Sequence, residues 1–153
     1  MAGLINDLMD KLGVMAEQVE ALTKLAHEKK DVILNNDIDG LKDITARENA
    51  FVGRYQKTEK AVGNIMVDIA LVLNQKASEL TLGRLGELII EQEDYGEYMK
   101  AYTRLKEGID GLKERNDMNS VLIENALEYI SYTVNAVRTS YGGDGDAVVD
   151  TRN

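Results

Sequence analysis

Apolar residues step along this chain by threes and fours through three long stretches, and no proline interrupts any of them. No other feature limits the fold as much. A 3.5-residue period puts the apolar side chains on one seam of a helix, and without proline nothing sharply breaks that helix. Average usage would place about seven or eight prolines in a chain of this length. The first seam is Leu4, Leu8, Leu12, Met15, Val19, Leu22, Ala26 and Ile33, with Lys29 as its one polar break. As a single helix it would run about 46 Å. Asn35-Asn36-Asp37 then supplies turn chemistry. Asp37 is the expected N-cap of a second helix, and Asp39 suits the positive end of its dipole.

The second helix is expected from Ile38 to about Asn74, on the seam Ile38, Leu41, Thr45, Glu48, Val52, Tyr55, Glu59, Val62, Met66, Ile69 and Leu73. Glu48 and Glu59 are polar intrusions, and Gly53 and Gly63 each cost about 1 kcal/mol against alanine, so the middle should be looser than the ends. Gln75 to Leu80 reads as a connection. Thr81 can cap a short helix over Leu82 to Glu91, with Leu80 and Leu85 spaced as a hydrophobic staple. Leu82, Leu85, Leu88 and Ile89 would form its apolar plug. A last helix begins near Glu93 with the cleanest seam: Tyr95, Tyr98, Tyr102, Leu105, Ile109, Leu112, Asn116, Asn119, Ile123, Ala126, Ile130, Thr133 and Val137. Its length should approach about 65 Å. The expected fold is all-α: an elongated antiparallel, coiled-coil-like bundle of three long helices plus one short helix. Residues 1–139 make one helical domain, and residues 140–153, with three glycines and three aspartates, make a flexible tail.

Composition narrows the function. A net charge of −9 argues against nucleic acid and against anionic membrane surfaces as partners. The chain has no cysteine, which suits a reducing compartment. It shows no signal-peptide pattern and no run near the roughly 18 apolar residues of a membrane span, so a cytoplasmic location is expected. Enzymatic motifs are missing: no phosphate-binding glycine loop, no dinucleotide fingerprint and no nucleophile elbow. His27, the only histidine, stands among Glu28, Lys29 and Lys30 with no partner spaced to orient it, which describes a solvated or edge side chain. Glu91, Glu93, Asp94 and Glu97 match the first turn of a helix dipole. The tail GGDGDAVVD lacks the glycine and glutamate positions of a calcium loop. No catalytic residue, cofactor or metal is therefore expected. Tyr95, Tyr98 and Tyr102 read as core with their hydroxyls at the rim. Asn116 and Asn119 fit either a polar layer where the short helix crosses or a contact with a partner.

The closing helix carries surplus apolar surface. From Met118 to Val137 only Glu124 and Glu128 are charged, whereas Glu93 to Asp117 holds twelve charged residues. Beside the seam, Met118, Leu122, Tyr129, Tyr132 and Ala136 form a second stripe, with Val121, Leu127 and Val134 elsewhere on the helix. Such a patch marks an interaction site. Burying four or five of these side chains would contribute roughly 8–12 kcal/mol before ordering and association costs.

At these residues the chain resembles the FlgN family of flagellar type III export chaperones. The likeness covers most of the length, through LAHEKKDVILNNDIDGLKDITARE at the end of the first helix, the TLGRL segment and the last helix. It is sharper at N-x-x-N before an apolar run (Asn116, Asn119, Leu122, Ile123) and at Y-G-x-D-G (Tyr141, Gly142, Gly143, Asp144, Gly145). The resemblance implies a cytoplasmic chaperone for hook-associated, hook-filament junction proteins. It would bind their helical carboxyl-terminal segments, prevent premature assembly and deliver them to the export gate. The client site so implied is Asn119, Leu122, Ile123, Ala126, Tyr129, Ile130, Thr133 and Val137. Tyr141 would dock on the cytoplasmic domain of the gate, the only tie to a membrane. The acidic residues after Gly145 have no counterpart in that pattern. The alternative from the residues alone is a structural three-helix module that forms a homodimer through the same apolar face.

Overall fold

A computed structural model describes the backbone of residues 1–140 and the side chains of residues 1–125. Four helices account for nearly all of it, and the described residues contain no strand. Helix α1 spans Ala2–Leu34, α2 Ile38–Val72, α3 Leu82–Leu88 and α4 Tyr95–Ser140. At 46 residues α4 is about 69 Å long.

The turns follow the local chemistry. Asn36 takes the left-handed conformation (φ 54°) between α1 and α2, a conformation asparagine tolerates better than most side chains. Asp37 caps α2 by accepting from the Gly40 N–H at 2.9 Å. Thr81 caps α3 through a 3.0 Å bond from the Arg84 N–H, and Leu80 and Leu85 are both buried, as a staple requires. The short helix ends at Leu88 rather than Glu91, and Ile89, its C-cap residue, is still fully buried.

Paired residues establish direction. Glu28 bonds Arg47, Lys29 bonds Glu48 and Gln18 bonds Thr58, so α2 runs back antiparallel to α1. Arg104 forks onto Glu20, while Asn119 bonds Ala26, so α4 runs parallel to α1. Helix α1 packs on both long neighbours, and among the described residues α2 and α4 do not approach each other within 8 Å between Cα atoms. The first helix is thus the hub of the bundle. The core concentrates where α3 crosses. Ile5, Leu8, Leu12, Met15 and Val19 of α1 meet Val62, Met66 and Ile69 of α2, Leu85 of α3, and Tyr98 and Leu105 of α4.

The α2 seam needs correction in its first half. Ile44 is buried where Thr45 was expected, Phe51 is half-buried while Val52 is 39% exposed, and Thr58 faces α1 while Glu59 is exposed. Ile38 is 67% exposed and lies off the seam altogether. Two heptad phases share Glu48, Tyr55, Val62 and Ile69, and α1 lies on the other flank of those shared positions. The polar breaks resolve together: Lys29 Nζ and Glu48 Oε1 stand 3.0 Å apart, each mostly shielded from water. From residue 45 to residue 61 no α2 side chain is fully buried, in keeping with a loosely packed middle.

Candidate functional site

The α4 helix is held differently along its length. Its first turns are clasped by α3. Tyr98 is fully buried, its hydroxyl donates to the Leu82 carbonyl at 2.6 Å, and its ring stacks on Tyr102 with centroids 6.4 Å apart. Burial and the neighbouring Tyr102 push the Tyr98 phenol well above the ordinary tyrosine range. The Tyr98 hydroxyl therefore lies inside the core and not at the rim. Tyr95 and Tyr102 are half-buried. Close backbone approach follows at Gly108, where a β-carbon would stand 3.3 Å from Val19 Cγ1. Leu105 is the last fully buried apolar residue of α4 among the described side chains.

Further along, the seam turns polar and then apolar again. Asn116 is exposed, which takes it off the expected seam. Asn119 is 3% exposed and donates from Nδ2 to the Ala26 carbonyl of α1 at 2.7 Å. Its Oδ1 has no hydrogen-bond partner among the described residues. Of the two sequence readings, a polar layer describes this contact, although the layer is made with α1 and not with α3. Leu122 and Ile123 are half-buried. Met118 is 46% and Val121 55% exposed, so two large apolar side chains of this stretch face water. Helical geometry puts Val121 about 200° round from Asn119, so the exposed face and the buried amide point in opposite directions. Ala126, Tyr129, Ile130, Thr133 and Val137 belong to α4, but their side chains lie outside the described residues, as does Tyr141 altogether.

The end of α1 bears on this stretch. Asn119 is level with Ala26, an offset of 93 residues. At that register Leu34, the last residue of α1, is level with about residue 127 of α4, which continues to Ser140. The turn itself is apolar on its outer side, with Leu34 57% exposed beside the exposed Ile38.

Other candidate chemistry stays dispersed. His27 is exposed, and among the described residues no group of three or more histidine or acidic side chains could hold a metal ion. Glu91, Glu93 and Glu97 are exposed around the start of α4. An open hollow of about 650 Å³ between α1 and α4 is lined by Glu20, Met99, Thr103, Arg104 and Glu107. A smaller apolar hollow of about 150 Å³ lies between α3 and α4 over Leu82, Tyr102, Leu105 and Ile109. Neither reaches the distal part of α4. No helix among the described residues is long and apolar enough to cross a membrane.

Sequence reasoning missed the pairing of Lys29 with Glu48 and the partner of Asn119. The first had a signal: two polar breaks at matched distances either side of a tight turn face each other in an antiparallel pair. The second had none, because Asn119 and Ala26 stand 93 positions apart with no short turn between their helices to fix the register.

Comparison with known proteins gives one family. The family model described as FlgN protein matches residues 1–146, nearly the whole chain. No curated protein matches the chain. No solved structure matches it either.

Proposed function

From the premise that the chain belongs to the FlgN family of flagellar export chaperones, we propose that it holds the helical carboxyl-terminal segments of hook-filament junction proteins and hands them to the export gate. The observation that carries this reading is that α4 runs on to Ser140 after α1 has ended at Leu34, level with about residue 127, through a stretch with two charges in twenty residues. The client face then comprises Leu122, Ile123, Ala126, Tyr129, Ile130, Thr133 and Val137, bordered by Asn119. A client helix would lay its own apolar stripe along α4 where that helix continues past the end of α1. The same burial would keep the client from pairing with its neighbours in the flagellum too early. Tyr141, a single aromatic in a glycine-rich tail, is the anchor for the gate: one side chain in a pocket binds specifically yet releases quickly.

Co-expression with the junction proteins tests this. A soluble one-to-one complex is expected with the native chain, and Ile130→Asp should abolish it without lowering the melting temperature. Failure of every junction protein to co-purify would sink the reading. Self-association through the same face is the competing reading. Light scattering over a range of concentrations separates the two, since a tight dimer burying this face leaves no room for a client.

A further inference from the structure

Asn119 is the one buried polar residue among the described side chains, and it follows Leu105 and Leu112 at heptad spacing. We propose that Asn119 is a positioning residue: its amide seats the distal half of α4 on α1, in the register that the proximal half sets, and leaves the part of α4 beyond it able to lift off α1 and admit a client. This inference rests on the client-binding reading above and adds its regulation.

The argument compares the two halves of α4. The proximal half is anchored by apolar burial at Tyr98 and Leu105, by the Tyr98 hydroxyl on Leu82, and by the fork of Arg104 on Glu20 at 3.0 and 3.1 Å. After Leu105 no apolar side chain up to residue 125 is fully buried, and Ile109, Leu112, Leu122 and Ile123 are each half-buried. The one fully buried contact of this part is an amide on a helix carbonyl. A seam meant to stay shut would gain by replacing that amide with a hydrocarbon of similar size, because a buried acceptor without a partner is costly. A polar residue on a helix seam instead favours one specific seating at the expense of stability.

The amide also lowers the cost of opening. When α4 lifts, Asn119 and the Ala26 carbonyl both regain hydrogen bonds to water, whereas a leucine would lose its apolar contacts outright. Lifting uncovers Ala26 on α1 together with the inner sides of Leu122 and Ile123, which widens the apolar surface offered to a client. The clasp at Tyr98 stays closed throughout, so the helix opens from one end only.

Hydrogen exchange of the full chain, without client, tests this directly. Amides of residues 116–125 should exchange at least about tenfold faster than those of residues 98–105, as a separately opening segment must. In Asn119→Leu that distal exchange should slow about tenfold with the proximal amides unchanged. Affinity for a synthetic peptide of a junction protein's carboxyl-terminal helix should fall about fivefold, because opening now costs more. Equal protection along α4 in the native chain would overturn the proposal, and that result needs no variant. An Asn119→Leu chain that exchanges faster everywhere and binds the peptide as before would overturn it too, since the amide would then be ordinary structural packing. A native chain that binds no such peptide refutes the client reading alone, and exchange still decides the latch.

Discussion

Replacing Tyr98 by phenylalanine should weaken the protein at neutral pH and strengthen it in alkali. The variant keeps the ring, its stack on Tyr102 and its packing against Gly86, and removes only the hydroxyl that donates to Leu82 at 2.6 Å. A net loss of about 1 kcal/mol follows, the ordinary worth of one intramolecular hydrogen bond. In a chain of this size that lowers the melting temperature by about 2–4 °C. Above pH 10 that deficit shrinks and then reverses. The folded Tyr98 phenol is raised by burial first and by Tyr102 second, so the folded chain keeps a proton that the unfolded chain releases. A raised folded pKa contributes stability that is complete below the unfolded value and is lost as pH climbs past it. The loss is about 1.4 kcal/mol per pH unit above roughly pH 10. The deficit of the variant is therefore cancelled close to pH 11, and beyond that Tyr98→Phe is the more stable protein. Urea unfolding of both chains at steps from pH 8 to 11.5 measures this. All other tyrosines and lysines are common to the two chains, so the difference between the curves isolates Tyr98. A constant difference across the series, or none at pH 8, would refute both the buried hydrogen bond and the burial of the phenol.

Glycine replacements should divide by their surroundings. A β-carbon at Gly63 meets nothing within 4 Å, so Gly63→Ala should stabilise α2 by about 0.5–1 kcal/mol in urea titrations. Gly108→Ala should gain clearly less, because its β-carbon meets the branched Val19 at 3.3 Å, and equal gains would show that α4 does not press on α1 there. Tyr141→Ala should leave the melting temperature unchanged while weakening capture by the cytoplasmic domain of the export gate. A clear fall in melting temperature would mean that the tyrosine belongs to the packed protein.

The local devices of this fold were legible from residue order alone. Asp37 and Thr81 cap where a short polar side chain meets the start of an apolar period, and Leu80 with Leu85 closes a staple within five residues. Such contacts span a few residues, so sequence spacing is nearly the same thing as distance. The stretch proposed as the client face stands out in composition alone, with two charges in twenty residues. The phase of α2 was not legible. Glu48, Tyr55, Val62 and Ile69 are common to two heptad frames, and the choice of Ile44, Phe51 and Thr58 over Thr45, Val52 and Glu59 depends on which flank α1 occupies.

Asn119 shows the same limit more sharply. By sequence it could be a partner contact or an internal layer, and its spacing from Asn116 is equal in both cases. Only the register of α4 on α1, fixed far away by the Tyr98 clasp and the Gly108 approach, turns Asn119 onto Ala26 and Asn116 out to water. Residue order thus determined that these helices form and where each begins, because hydrophobic period and capping act within a turn or two. Tertiary structure decided which flank of α2 and which of the two α4 asparagines turn inward, because that depends on contacts between residues 40 and 93 positions apart.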